Sequence, residues 1–327
     1  MELLPLVIFL CGLVVLVAGA ELLLRGASST AAQLGVRPIV IGLTVVSVAT
    51  SLPELAVGIV AASEASGALA IGNIAGTNIF NILFILGLSA AIRPLPLKHM
   101  SLRLDLPIMI AAAVALILMS LDGKLGRLDG ILLVTAAVGY YIAIVRLSRR
   151  ERAKIRKEYA EEYGPDVLVE KGKPWSILRN ILFLLIGIVL TIFGADLLVS
   201  GAVDIASVLG VSDAIIGLTI VAIGTSAPEL ATTMVATLKD DRDVAVGNLI
   251  GSSISNILLI LGIVCIVARQ GLDVSKGILL IDLPLAAAVA IACYPVFRSG
   301  QRVSRTEGII FVSLYVVYIS ILVFVRA

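Results

Sequence analysis

Long uninterrupted apolar runs, separated by short polar segments, dominate the chain. Ten runs are long enough to cross a membrane: 4–24, 38–62, 70–92, 104–121, 130–147, 177–198, 213–238, 244–267, 278–296 and 307–325. Crossing the ~30 Å hydrocarbon core takes roughly 20 helical residues. The runs are continuous rather than alternating, and a bilayer tolerates only helices or closed barrels. The pattern therefore predicts an all-α integral membrane protein with ten transmembrane helices. The first run is longer than a signal peptide's and lacks a basic leader and a small-residue cleavage site, so it is read as a retained helix.

The pattern also repeats. A shift of 175 residues lays Gly42–Gly87 on Gly217–Gly262 without a gap, and 23 of those 46 positions are identical. Gly19-Ala-Glu-Leu-Leu meets Gly194-Ala-Asp-Leu-Leu, and with small further shifts Asp105-Leu-Pro meets Asp282-Leu-Pro and Arg127-Leu-Asp-Gly meets Arg305-Thr-Glu-Gly. Each half is then a five-helix unit: 1–147 and 177–327, joined by a polar linker at 148–176. Five is odd, so the second half enters the membrane from the opposite face. That is the inverted-repeat architecture of many transporters, which bind substrate near the midplane between repeats.

Composition agrees with the pattern: 59% of the 327 residues are hydrophobic and only 15% are charged, against about a quarter charged in soluble domains. The net charge of +2 says little, but its placement says more. Alternating the ten spans puts 20 of the 25 lysines and arginines on one side, and the positive-inside rule makes that side cytoplasmic. A multi-pass cell-membrane protein is expected, with the linker inside and both termini outside. Cys11, Cys265 and Cys293 fall in apolar spans at no metal-ligand spacing, and His99 sits in a loop; none is given a function.

Two polar segments in each half interrupt the apolar pattern. One is Ser47-Val-Ala-Thr50-Ser51-Leu-Pro53-Glu54, echoed by Ala222-Ile-Gly-Thr225-Ser226-Ala-Pro228-Glu229. The other is Gly72-Asn73…Gly76-Thr77-Asn78…Asn81, echoed by Gly247-Asn248…Gly251-Ser252-Ser253…Asn256. A carboxylate at a helix centre costs roughly 2.5–3.5 kcal/mol on insertion scales, and this chain bears that cost twice. Thr50 and Ser51 share a helix face with Glu54, as Thr225 and Ser226 do with Glu229. Carboxylates among hydroxyls form an oxygen-only site suited to hard cations such as Na+ and Ca2+. Pro53 and Pro228 lack an N–H and break their helices, freeing carbonyls that can face a cavity. Ser47 and Ala222, one turn earlier, are expected carbonyl donors.

Other polar residues have plainer readings. The four glycines of the second segment suit close helix packing, and Asn81 and Asn256 could simply bridge helices. Glu21 and Asp196 lie near span ends, where they cap. Lys239–Asp243 reads as a solvated turn.

The doubled motif Gly-Leu-Thr…Thr-Ser-(Leu/Ala)-Pro-Glu followed by Gly-Asn…Gly-(Thr/Ser)-(Asn/Ser)…Asn resembles the two alpha-repeats of the cation/Ca2+ exchanger superfamily, and within it the Na+/Ca2+ exchanger branch, including prokaryotic members. That resemblance covers nearly the whole chain outside the linker. It implies inverted repeats and cation ligands at Ser47, Thr50, Ser51, Glu54, Thr77 and Asn81, and at Ala222, Thr225, Ser226, Glu229, Ser252 and Asn256. Ca2+ would sit between Glu54 and Glu229, with Na+ toward either end. Ala49 stands where glycine is usual, and Asn256 where many members have an acid, so the site carries two formal negative charges rather than three. The expectation is a secondary active antiporter exchanging Ca2+ for Na+ by alternating access. The alternative is a H+/cation antiporter in which Glu54 and Glu229 carry protons. An intramembrane enzyme would need a nucleophile–base pair or metal-diphosphate site that the spans lack. The expected partners are Ca2+, Na+ and membrane lipids, with no cofactor, nucleic acid or protein partner.

Overall fold

The computed structural model describes residues 3–34, 38–96, 101–163, 174–209, 222–298 and 300–326, and these are almost entirely helical. In chain order the helices are α1 (Leu3–Leu34), α2 (Ile39–Thr50), α3 (Leu52–Ser63), α4 (Gly67–Ile92), α5 (Leu106–Met119) and α6 (Arg127–Tyr163). Then come α7 (Pro174–Val208), α8 (Ala222–Thr225), α9 (Ala227–Leu238), α10 (Arg242–Val267), α11 (Ile278–Arg298) and α12 (Arg305–Arg326). Seven of them are long and apolar enough to cross a membrane, or eight spans if the bent pair α2–α3 counts as one. The chain is a multi-pass helical membrane protein.

Ten expected spans thus reduce to seven or eight that meet this criterion among the described residues, for two local reasons. The expected span 213–238 is broken at Ser226, and its first part, 213–221, lies outside the described residues. The span at 104–121 is a wide π turn, Ser101–Asp105, followed by only 14 α-helical residues. The apolar span expected at 130–147 is found at Arg127–Ser148, and its helix, α6, runs on beyond it through Tyr163. Residues 146–163 are rich in Arg, Lys, Glu and Ala, good helix formers once they have left the bilayer. A polar composition marked the end of the apolar span there, not the end of the helix.

Burial separates an inner ring from an outer one. In the most apolar windows of α4 and α10, 72% and 78% of residues are buried; in α1, α6 and α7 it is 28%, and in α12 17%. The outer helices show large apolar side chains outward, such as Leu128, Val189 and Val14, as lipid-facing surfaces must. The inner pair carries the polar residues. Both α4 and α10 widen into π turns, Phe80–Leu86 and Asn256–Leu261, at Asn81 and Asn256; such turns recur at functional sites.

The halves pack against each other widely, and two of these contacts are specific to glycine or to backbone. Helices α1 and α7 pack antiparallel along a glycine seam: Gly12, Gly19 and Gly26 meet Leu198, Thr191 and Leu184, and Gly187, Gly194 and Gly201 meet Leu23, Leu16 and Phe9. A Cβ at Gly194 would lie 2.3 Å from the backbone N of Leu16, so only glycine permits this approach. Two short antiparallel ribbons, Leu95–Pro96 with Arg302–Val303 and Lys124–Leu125 with Leu272–Asp273, tie each half to the other.

Candidate functional site

The kinks form the site's frame. Between α2 and α3 the chain bends by 42° at Ser51, whose φ of −85° and ψ of 10° leave the helical range. Ser226 has nearly the same angles, −93° and 9°, between α8 and α9. Each break sits two residues before a proline, Pro53 or Pro228, in the first turn of the following helix, where its missing N–H costs least. Glu54 and Glu229 then occupy the first turns of α3 and α9, close to the positive ends of those helix dipoles.

The two halves interlock through these residues. Ser51 of the first half donates to Glu229 Oε1 of the second at 3.2 Å, and Ser226 of the second donates to Glu54 Oε1 of the first at 3.4 Å. Both carboxylates are fully buried, and the second oxygen of each, Oε2, has no protein hydrogen-bond partner. Hydroxyls and amides extend the polar centre in two directions. On one side Ser226 Oγ also reaches Thr77 Oγ1 at 3.4 Å. On the other, Thr50 Oγ1 lies 3.5 Å from Ser252 Oγ and 3.3 Å from both Asn248 Oδ1 and the Ser47 carbonyl. Ser252 Oγ donates to that same carbonyl at 3.4 Å, so the Ser47 carbonyl does face the polar centre, whereas its hydroxyl turns back to Leu43 O at 2.9 Å.

The expected residues therefore converge, with two qualifications. Asn81 and Asn256 are fully buried on the faces of α4 and α10 that carry Thr77 and Ser252, one turn on. Neither amide atom of Asn81 has a protein partner. Ala222 opens α8, three residues before Thr225, and its side chain lies outside the described residues. Among the described residues no three His, Cys, Asp or Glu side chains converge; the formal charge of the centre comes from two carboxylates in a shell of neutral oxygens. Such a donor set suits a hard cation, and the unpartnered carboxylate oxygens are the atoms it would engage.

The two ends of the centre differ. Thr77 and Thr225 border a cavity of about 660 Å³, walled also by Asn73, Asp282 and Tyr318. The residues related to Thr77 and Thr225 by the repeat are Ser252 and Thr50. These are 0% and 1% exposed; they lie within hydrogen-bond distance of each other, Thr50 also reaches Asn248, and Ser252 donates to the Ser47 carbonyl.

Sequence reasoning missed several participants. Asn248 accepts from Thr50 and donates from Nδ2 to Thr233 Oγ1 at 3.1 Å; its repetition as Asn73 was the available signal. Tyr141 and Ser255, 2.7 Å apart, sit behind Ser47, whose hydroxyl is 3.4 Å from that of Ser255; no periodicity singles them out. Asn78 bonds across to Ser253 and Asn256. Outside the centre, Glu21 pairs with Arg25 and Lys239 rather than capping α1, and Asp240 joins Arg93 and Arg242.

Comparison with known proteins agrees with this geometry. The family model described as sodium/calcium exchanger protein matches residues 4–146 and 179–324. The chain is 30% identical to the sodium/calcium exchanger MaX1 of Methanosarcina acetivorans, over 97% of this chain and 98% of that one. It is 33% identical to the inner membrane protein YrbG of Escherichia coli, over 96% and 95%. A structure of the sodium-calcium exchanger NCX_Mj, soaked with zero Na+ and Ca2+, superposes with a TM-score of 0.83 at 28% identity, covering 98% of this chain and 100% of that one. The chain belongs to the sodium/calcium exchanger protein family, a family of membrane transporters rather than of enzymes.

Proposed function

We propose that this protein is a secondary active antiporter that exchanges Ca2+ for Na+ by alternating access between two inverted five-helix repeats. The observation that carries the reading is the crossed pair of bonds, Ser51 to Glu229 and Ser226 to Glu54. A cation held by both carboxylates is held by both halves at once, so a shift of one half against the other changes which end of the site is open. Ca2+ would take the central position between Glu54 and Glu229, with the carbonyls of Thr50 and Thr225. Na+ would take oxygens toward the ends: Ser47, Ser51 and Ser252 at one, Thr77, Ala222 and Ser226 at the other, with Asn81 and Asn256 alongside.

Inverted repeats are supported by the antiparallel course of α1 and α7, which the 175-residue shift makes equivalent. Alternating access is supported by the unlike ends of a near-symmetric centre: a cavity at Thr77 and Thr225, close packing at Ser252 and Thr50. The charge bias supports an orientation in which the cavity faces outward and the Lys239–Arg242 turn faces the cytoplasm.

The test is uptake of labelled Ca2+ into proteoliposomes loaded with Na+, with the pH gradient collapsed by an ionophore. Uptake that follows the outward Na+ gradient is expected. Uptake that ignores Na+ and follows an imposed pH gradient would overturn Na+ coupling in favour of protons carried by Glu54 and Glu229. Loss of Ca2+ uptake in Glu54→Gln and Glu229→Gln, with the fold intact, is required by either coupling.

A further inference from the structure

A chain of amide hydrogen bonds crosses between the halves beside the site. Asn78, on α4 and 6% exposed, donates from Nδ2 to the backbone carbonyl of Ser253 at 3.1 Å. Asn256, fully buried on α10, donates from Nδ2 to Asn78 Oδ1 at 3.2 Å. The Oδ1 of Asn256 has no protein partner.

Chemistry fixes the direction of this chain. A backbone carbonyl only accepts, so Asn78 must offer it the NH2 and turn its own oxygen the other way. That oxygen only accepts too, so Asn256 must offer its NH2 and leave its oxygen free. One backbone carbonyl thus orients two side chains in succession. The other half holds no such lock: the repeat puts Ser253 where Asn78 stands, and Ser253 Oγ donates to Leu249 O within its own helix. The amide of Asn81, the counterpart of Asn256, has no protein partner at either atom.

We propose that Asn78 is a positioning residue that fixes Asn256 as a neutral oxygen donor to the transported cation and thereby holds the formal charge of the site at two. The proposal rests on the reading of this centre as the cation site. An aspartate at 256 would set a carboxylate oxygen against Asn78 Oδ1, and Asn78 cannot turn without setting that oxygen against the Ser253 carbonyl. Glu54 and Glu229 are unchanged in every variant below, and the two aspartate variants each add one carboxylate to the centre. Positions 81 and 256, alike by sequence, are therefore unlike in function: 256 is restricted to a neutral oxygen, and 81 accepts either amide or acid.

The experiment is a double-mutant cycle on purified full-length protein at one fixed pH, read as Ca2+ affinity in competition with Na+. Asn78→Ala should weaken Ca2+ roughly 3–10-fold in the parent, the worth of one buried hydrogen bond, and should have no further effect in Asn256→Ala. Equal losses in both backgrounds would mean that Asn78 merely supports the fold, and would overturn the proposal. Asn81→Asp should bind Ca2+ at least as tightly as the parent. Asn256→Asp should bind it about tenfold or more weakly, and Asn78→Ser, the residue found at the related position, should restore it. Asn256→Asp binding as well as Asn81→Asp would be equally fatal. If Asn78→Ala does not fold, Asn78→Ser serves in the cycle. Thermal unfolding without added cation should show residues 78 and 256 to be coupled. Additive effects there would overturn the bond chain whichever ion the parent carries, whereas coupling in a protein that binds no Ca2+ would leave the bond chain standing and sink the function reading.

Discussion

The charge of the site predicts which limb of the exchange cycle feels the membrane potential. Glu54 and Glu229 are the carboxylates of the centre, and the residues around them, Ser47, Thr50, Ser51, Thr77, Asn81, Ser226, Ser252 and Asn256, are neutral and buried. Two negative charges balance one Ca2+, so the Ca2+-loaded carrier crosses with no net charge. On the proposed exchange the donors at the two ends hold more than two Na+, and the Na+-loaded carrier would then cross with net positive charge. Moving one charge through a potential of 100 mV is worth ~2.3 kcal/mol, or roughly fiftyfold in a concentration ratio. The perturbation is a K+ gradient clamped by valinomycin across proteoliposomes, applied to two assays. Exchange of labelled for unlabelled Ca2+ uses only the neutral limb and should be indifferent to potential. Uptake of Ca2+ against internal Na+ moves net positive charge outward, so an interior-positive potential should accelerate it and raise the Ca2+ accumulation it supports, toward the fiftyfold limit. Strong voltage dependence of Ca2+–Ca2+ exchange would refute the charge count. Indifference of Na+-driven uptake would mean two Na+ per Ca2+, and would refute the electrogenic step.

Three further outcomes are expected. Ser51→Ala and Ser226→Ala each remove a hydrogen bond to a buried carboxylate, worth about 1.5–3 kcal/mol; both should destabilise the ion-free protein, and both should show a larger rise in melting temperature on adding Ca2+ than the parent, an equal rise counting against the crossed bonds. Gly194→Leu must part α1 from α7 at a point where a Cβ would stand 2.3 Å from backbone and should cost about 1–3 kcal/mol and most transport, whereas Gly139→Ala, with nothing within 4 Å, should stabilise the helix by up to about 1 kcal/mol; equal effects in thermal unfolding would contradict the seam. In a cysteine-free background, Asp273→Cys should react with an impermeant thiol reagent on intact cells and Asp240→Cys only after lysis; the reverse pattern would invert the topology.

Much of the site was legible because it is written twice. A buried glutamate read once has several explanations, but Thr-Ser-x-Pro-Glu at 50–54 and again at 225–229 singles out the same oxygens that the fold brings together. The helix breaks were equally legible, since a proline's missing N–H acts locally. Pairings across the halves were not, because they depend on how two helix faces meet. Spacing places Ser51 on the face of Glu54, its own neighbour, yet its hydrogen bond goes to Glu229. Asn78 sat inside a motif already noted and drew no role, because only the orientation of the Ser253 carbonyl makes its amide directional. Hydropathy located the end of the fifth apolar span, which lies at Ser148, but not the end of α6, because the backbone hydrogen bonds of a helix do not stop where the bilayer does.

A duplicated sequence also hides which end of the site is closed, because each half looks able to close either. What breaks the tie is the unmatched partner of a repeated residue. Asn248 bridges Thr50 Oγ1 and Thr233 Oγ1 and so fastens α2, α9 and α10 together at the packed end. Its counterpart at the other end is Asn73, beside the cavity, with an Nδ2 that has no protein partner. The counterpart of Thr233 is Gly58, which has no side chain to accept that bond. Thr232 and Thr237, on the same helix as Thr233, likewise answer to Val57 and Ala62. One hydrogen bond present at one end and absent at the other is worth about 1 kcal/mol, roughly a fivefold preference between two otherwise matched arrangements. On the proposed alternating-access reading, the repeat would supply two nearly equivalent states, and a few unmatched side chains, Thr233 above all, would tip the balance toward the one in which the Thr233 end is packed.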